Sequence, residues 1–348
     1  MTNTRNASPE LGPDGSPQHG LKSLPFGVQY PIIASAVAGL LLRLVFWGAS
    51  GSNWSPMAGA FIFCAPIIVG MVMVYCAERI KRRHWGYYFY APFLATCLFI
   101  GGTLILMIEG WICAIVIVPM FAVLGGVGGV AMGILCRLTN WPQPTIYGVA
   151  ALPISLAALA GNHSGSTDFG HVERTQRIEA PAAVVWQQLN SIDNITSNEM
   201  QDSLAVKIGV PPPLAGATRE TPQGRVRESR WGKDVHFEEV IADWDPERYL
   251  RWTYRFAPDS FPKHALDDHV LIGGHYFDLL ETSYTLNAEG DTTQLTTKTR
   301  YRISTQFNFY AEWVAQLVLG SQTETGLRLY AARSETAWKN ASKGGAKS

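Results

Sequence analysis

Residues 111–135 read WICAIVIVPMFAVLGGVGGVAMGIL and contain no charged side chain. A helix needs about 20 mostly apolar residues to cross a bilayer, because lipid offers the backbone no hydrogen-bonding partners. Three other stretches have a similar length and composition: Tyr30–Ser50, Met57–Cys76 and Tyr87–Ile108. A fifth, residues 146–161, is shorter and contains Pro153. The sequence therefore predicts an all-α membrane region of four or five transmembrane helices within residues 30–161.

The charges divide the chain into two different halves. Residues 1–167 contain eight Lys and Arg and four Asp and Glu, whereas residues 168–348 contain 20 basic and 24 acidic side chains. Neither half has the basic excess that is typical of nucleic-acid binding, so no nucleic-acid partner is expected. We predict a transmembrane domain (30–161), a linker (162–171) and a water-soluble domain (172–338). Residues 1–29 and 339–348 are predicted to be disordered tails.

Basic residues indicate the orientation in the membrane. The loop Glu78–Arg83 holds a dense cluster of positive charge, and such loops stay in the cytoplasm. This places the N-terminus in the cytoplasm of a bacterium, with the chain in the inner membrane. If residues 146–161 cross the bilayer, the soluble domain lies in the periplasm, which is the arrangement we expect. If they do not cross it, the soluble domain is cytoplasmic.

Three glycines of the fourth span, Gly125, Gly129 and Gly133, recur every four residues. Small residues at this spacing let another helix approach closely. The pattern predicts helix packing, and it permits a homo-oligomer through the same face. The five cysteines lie in apolar runs without a CxxC pair or a Cys/His cluster, so neither a metal site nor a cofactor is predicted.

The soluble half opens with QRIEAPAAVVW at residues 176–186, where a strand pattern gives way to a helix at Pro181. Residues 191–215 have no regular pattern. Alternating segments predict the following strands: Val172–Glu179, Arg225–Trp231, Val235–Trp244, Tyr249–Phe256, Tyr276–Leu286 and Thr293–Ser304. The chain then reads as one long helix, Phe307–Trp338.

This order of elements, the opening segment and the stretch FEEVIADWDP at residues 237–246 resemble the helix-grip (SRPBCC) superfamily. Its members include START lipid-transfer domains, Bet v 1-like proteins and polyketide cyclase/dehydrase-like proteins. The resemblance covers residues 172–338. It implies an α+β domain in which a curved antiparallel sheet surrounds a long C-terminal helix, and a cavity that takes apolar or aromatic small molecules.

Seven aromatic residues are predicted to line that cavity: Trp231, Phe237, Trp252, Tyr254, Tyr276, Tyr310 and Trp313. The same side chains could instead fill the core without any ligand. For acid–base chemistry the candidates are Asp268, His269 and His275, because a carboxylate beside an imidazole can orient it and tune its pKa. That run equally fits an exposed polar loop.

Three functions are compatible with these features. The first, which we favour, is a membrane-anchored domain that binds a lipid or another apolar or aromatic small molecule, with the bilayer as its second partner. The second is an enzyme of the polyketide cyclase/dehydrase kind. The third is a regulatory domain on a membrane sensor or transporter subunit. The spans lack the repeated carboxylates of a proton pathway, which argues against a proton-coupled transporter.

Overall fold

The computed structural model describes residues 29–139, 165–263 and 265–345, together with residues 154, 155 and 158. It divides into two compact units. The first comprises Met1–Ile108 and Ile117–His163, and the second comprises Glu109–Val116 and Ser164–Ser348. The predicted N-terminal tail and most of the predicted fifth span lie outside the described residues.

Four apolar helices precede the sheet in the chain: α1 (Tyr30–Val45), α2 (Gly59–Ile80), α3 (Trp85–Ile105) and α4 (Trp111–Leu138). The first three belong to the first unit, as does α4 from Ile117 onwards. By length and composition, α2, α3 and α4 could cross a membrane. Helix α1 is apolar but has 16 residues and is shorter than predicted. The chain leaves the helix after Val45 and turns back at Gly48, whose N–H donates to the carbonyl oxygen of Trp54 at 2.8 Å.

The glycine face of α4 packs against helices of the same chain. A side chain at Gly125 would collide with Thr96 of α3, and one at Gly133 would collide with the ring of Tyr88. On the opposing helix α2, a side chain at Gly70 would collide with the backbone of Gly125. The predicted role in helix packing is therefore visible within one chain. Self-association of the protein stays a prediction, and this face is already covered.

A polar cluster connects the ends of α2, α3 and α4 at the predicted cytoplasmic loop. Glu78 is 2% exposed and accepts hydrogen bonds from the backbone N–H of Arg83 (2.6 Å) and the hydroxyl of Tyr88 (3.0 Å). Arg137 donates to that hydroxyl (3.0 Å) and to the carbonyl oxygen of Arg83 (2.9 Å). The buried side chains of Glu78 and Tyr88 thus have partners, as burial requires. Part of the basic loop is therefore structural.

The second unit is built on one antiparallel sheet of eight strands in the order β1-β8-β7-β6-β5-β4-β3-β2. The strands are β1 (Thr167–Ile178), β2 (Ser191–Ile192), β3 (Pro213–Thr221), β4 (Gly224–Trp231), β5 (His236–Asp245), β6 (Tyr249–Arg255), β7 (Phe277–Glu289) and β8 (Thr292–Ser304). Between β1 and β3 lie α5 (Ala182–Asn190), α6 (Ser197–Met200) and α7 (Leu204–Lys207). The last element is α8 (Asn308–Gly345), which packs against β1, β8 and the three short helices.

The predicted strands and the long helix are present, with three corrections. Strand β1 starts at Thr167, so it takes in part of the predicted linker. Strand β3 lies in and after a segment predicted to be irregular, because three consecutive prolines (211–213) hide its start. Helix α8 continues to Gly345 and includes most of the predicted C-terminal tail.

Candidate functional site

A row of polar side chains crosses the inner face of the sheet, the face that the helices cover. Arg227 (β4) is paired in register with Glu239 (β5), and Thr282 (β7) with Thr299 (β8). Tyr254 (β6) lies between these pairs and shares a hydrogen bond of 2.7 Å with Thr282. The hydroxyl oxygens of Thr282 and Thr299 are 2.9 Å apart and share a hydrogen bond. A core face is normally apolar, so this row calls for an explanation.

A buried ion pair forms the β4–β5 end of the row. Arg227 Nη1 donates to Glu239 Oε2 at 2.6 Å, and both residues are 5% exposed. Ser229 donates to the other carboxylate oxygen at 2.8 Å, and Arg227 Nε donates to the carbonyl oxygen of Leu189 at 3.1 Å. The guanidinium carbon lies 5.4 Å from the ring centroid of Trp252. Such a pair contributes little net stability compared with apolar residues of similar size, so stability alone does not account for it.

Three tyrosines surround the ion pair: Tyr254, Tyr284 of β7 and Tyr330 of α8. Burial raises the pKa of each hydroxyl, and the negative charge of Glu239 raises all three further. Burial alone would lower the pKa of Arg227, but Glu239 and the tyrosine oxygens raise it above its ordinary value. At neutral pH the site therefore presents neutral hydroxyl groups around a permanently charged arginine.

Three buried polar atoms of the inner face lack hydrogen-bond partners among the described residues, and one of them is the hydroxyl of Thr218, opposite Arg227 in the register. The indole N–H of Trp252 lies near Tyr254, but no described acceptor meets hydrogen-bond geometry with it. The hydroxyl of Thr297, beside Tyr284 in the register, is likewise without a partner. Buried polar atoms in proteins are nearly always satisfied by protein, water or ligand. A bound molecule or water can form a hydrogen bond with each of these atoms.

Two of the tyrosines are less buried than their neighbours on the same strands. Trp252 is 2% exposed and Thr282 is 3% exposed, whereas Tyr254 and Tyr284, on the same face of the same strands, remain partly accessible. Both rings are therefore less completely covered than their neighbours on the inner face.

Four of the predicted ligand-lining residues lie at this site or beside it. Trp231, Phe237 and Tyr254 belong to one cluster with Phe256 and Phe261, and the Phe237 ring lies 5.8 Å from Trp231 and 6.0 Å from Tyr254. Trp252 belongs to the main core, with its ring 5.1 Å from that of Tyr284. The structure thus brings a polar row and an aromatic cluster together on one face.

The other three predicted residues lie elsewhere. Tyr276 is buried beside His269 and His275, with ring centroids 6.2 Å and 4.8 Å away. The hydroxyl of Tyr310 donates to the carbonyl oxygen of Val116, which belongs to the same unit, at 2.5 Å. Trp313 is 58% exposed and so does not line the interior. It follows Tyr310 on a helix of which only one face meets the sheet.

The contacts of His269 and His275 are with residues outside the polar row. Residues 268–270 form a 3-10 helix between β6 and β7. His269 Nε2 lies 3.6 Å from Glu109 Oε2, and both side chains are largely buried. No described residue bonds to His269 Nδ1. His275 contributes its carbonyl oxygen to Arg302 at 3.0 Å, which is a structural contact. The structure gives no side-chain placement for Asp268.

The residues that sequence reasoning missed are Arg227, Glu239, Tyr284 and Tyr330. A signal for one of them existed, because Glu239 alternates in phase with Phe237 and Ile241 on β5. A charged residue in the apolar phase of a strand faces the core. Arg227 could not be found in this way, because charged residues occupy both phases of β4.

Comparisons with protein-family models and with curated proteins find no match. Among solved structures, the chain is similar to the Zhui aromatase/cyclase from Streptomyces sp. R1128, at 16% identity over 48% of this chain and 94% of that one, with a TM-score of 0.31. It is also similar to norcoclaurine synthase from Thalictrum flavum (11% identity, 50% and 94% coverage, TM-score 0.28). A third is the protein TTHA0849 from Thermus thermophilus (19% identity, 48% and 99% coverage, TM-score 0.30).

These similarities are to the fold of the other proteins and concern about half of this chain. The strand order and the long C-terminal helix, taken by themselves, are consistent with a helix-grip fold. The activities of the similar proteins do not follow from them for this chain, since one fold serves many functions.

Proposed function

We propose that the protein is a membrane-anchored binding protein whose helix-grip domain takes an apolar or aromatic small molecule, such as a lipid, on the inner face of its sheet. The observation that carries the proposal is the partial accessibility of Tyr254 and Tyr284 beside buried neighbours. Small-molecule sites are typically concave, mostly apolar and provided with a few fixed polar groups. The aromatic cluster supplies the apolar surface, and the polar row supplies the fixed groups.

The chemistry of the polar row restricts the chemical class of the ligand. The charge of Arg227 is already balanced by Glu239, so a second anion has no free cation to pair with in this row. The Trp252 N–H and the tyrosine hydroxyls can donate to an oxygen. We therefore propose a ligand with an apolar or aromatic body and an uncharged oxygen, such as a carbonyl or hydroxyl group, at one end.

The test is native mass spectrometry of the full chain in nanodiscs, followed by solvent extraction of what remains bound. We expect a stoichiometric adduct that is lost in the double variant Arg227→Met/Glu239→Leu. The matched control is Arg219→Met/Glu228→Leu, which removes a half-exposed ion pair of 2.7 Å between β3 and β4. That control should keep the adduct. An adduct retained by both double variants, or none in the unaltered protein, contradicts the proposal.

A second candidate function is an enzyme of the cyclase or dehydrase kind. The observation in its favour is the His269–Glu109 pair, in which a largely buried carboxylate faces one imidazole nitrogen while the other nitrogen has no described partner. A carboxylate in this position can hold an imidazole ready for proton transfer. In this proposal the recovered ligand is a substrate.

The enzyme proposal predicts that His269→Gln leaves ligand binding intact and abolishes chemical conversion of the recovered ligand, measured as a change of its mass on incubation. The control is His236→Gln, which alters an exposed His–Asp pair of 3.7 Å with Asp259. Conversion at the same rate in both variants, or no conversion by the unaltered protein, would rule out this role for His269.

A further inference from the structure

The long helix α8 has two parts of different composition. Residues 308–323 contain one charged side chain, Glu312, whereas residues 324–345 contain Glu324, Arg328, Arg333, Glu335, Lys339 and Lys343. A helix in contact with water on one side normally has charged residues along that side. The second part follows this rule and the first part does not.

The first part of α8 is apolar on two opposite faces. One face, with Ala311, Ala315 and Leu319, packs against Val172, Tyr301 and Ile303 of the sheet. On the opposite face, Phe309, Trp313 and Leu317 are spaced four residues apart and are 71%, 58% and 49% exposed. We call these three residues the apolar stripe. A contiguous exposed apolar surface of this kind marks an interaction site.

The position of the apolar stripe in the chain points to its partner. Asn308, the first residue of α8, donates to the carbonyl oxygen of Ser166 (2.6 Å) and to the carboxylate of Asp168 (2.8 Å). Ser166 is among the first residues of the second unit, and residues 139–165 lie between it and the end of α4 in the chain. The stripe therefore begins next to the part of the chain that follows the apolar half.

The chemistry of the apolar stripe fits a bilayer better than a charged partner. Trp and Phe are favoured at the lipid–water interface, where an amphipathic helix lies with its apolar face among the acyl chains. No Lys or Arg occurs between Arg302 and Arg328, so this part of α8 itself supplies no cation for anionic headgroups. We propose that the apolar stripe of α8 docks into the interfacial region of the lipid bilayer, an inference that rests on the proposed membrane anchoring.

The test uses the full chain with its five native cysteines replaced by serine, in nanodiscs of zwitterionic lipid. Trp313→Cys or Leu317→Cys carries an environment-sensitive fluorophore. The matched control is Lys339→Cys on the charged part of the same helix, where the side chain is 67% exposed. We expect labels at 313 and 317 to be quenched by spin-labelled lipid and to show a several-fold smaller iodide quenching constant than the label at 339.

Two outcomes overturn the proposal. Equal iodide quenching at all three positions means that the stripe faces water. Protection from iodide without quenching by spin-labelled lipid means that protein, such as a second copy of the chain, covers it. Alkaline carbonate extraction of the same samples tests the anchoring separately. Release of the chain contradicts anchoring, whereas a retained chain with water-exposed labels contradicts only the docking.

Discussion

At the residue scale, the Arg227–Glu239 pair is the feature that most distinguishes the C-terminal domain from an ordinary packed core. Each residue stabilises the buried charge of the other, because an uncompensated buried charge is strongly destabilising. The pair therefore has two separable effects. It determines how strongly a substitution of one partner alone destabilises the domain. In our proposal it also determines which small molecules the inner face can bind.

We predict that Arg227→Met alone lowers the free energy of unfolding by about 3–5 kcal/mol, because it leaves the Glu239 carboxylate buried without a counter-charge. The double variant Arg227→Met/Glu239→Leu should recover most of this loss, since two apolar side chains replace two charges. Thermal and urea unfolding of the full chain in detergent measure both values. A double variant as unstable as the single one would contradict this account of the pair.

At the element scale, an ion pair between Glu199 and Arg333 connects the short helix α6 to α8. Glu199 closes a capping box with Thr196, accepting from its N–H and hydroxyl at 2.8 Å each. Arg333 of α8 donates two hydrogen bonds to the same carboxylate, at 2.7 and 2.9 Å. The hydrogen bonds from Arg333, with those from Thr196, lower the pKa of Glu199 from 4.5 to about 2.

This lowered pKa predicts an acid-dependent contribution to stability. The carboxylate has a lower pKa in the folded state than in the unfolded state, so its contribution is complete above about pH 4.5 and is lost as the pH falls towards 2. At pH 7, Glu199→Gln should cost about 1–3 kcal/mol, and the difference from the unaltered protein should shrink by pH 3. Thermal melting at both pH values measures it.

The control for Glu199 is Glu173→Gln, which removes an exposed pair of 3.7 Å with Lys298 between β1 and β8. Exposed pairs contribute about 0–1 kcal/mol, so this variant should melt close to the unaltered protein at pH 7. An equal effect of the two substitutions would mean that Arg333 and the capping box do not stabilise the charge of Glu199 as the geometry indicates.

At the scale of the whole molecule, the sequence predicted the division into an apolar helical half and an α+β half. Long apolar runs and strict alternation are local patterns, and they identified α2, α3, α4 and strands β4 to β8 with small shifts at their ends. Proline-rich and very short elements were missed, because β2 and β3 are defined by pairing with neighbours and not by their own composition.

The candidate site was only partly visible in the sequence. Its aromatic members were predicted from their abundance in the strands, but the polar row depends on which residues of different strands lie opposite one another. That register is a property of the assembled sheet. Trp313 was assigned to the interior by residue type alone. Its exposure shows that an aromatic side chain on a long helix can also lie on the outer surface of the domain.

The buried ion pair also bears on how the strands find their alignment. Side chains of a strand alternate between the two faces, so a slip of β5 by one residue against β4 would turn Glu239 outwards and bring Glu238 and Val240 inwards. Arg227 would then lose the carboxylate that now lies opposite it. An apolar core tolerates many near-alternatives, whereas a buried charge accepts only the arrangement that supplies its partner. The pair thus selects one alignment of β4 and β5 from the others that their lengths would permit.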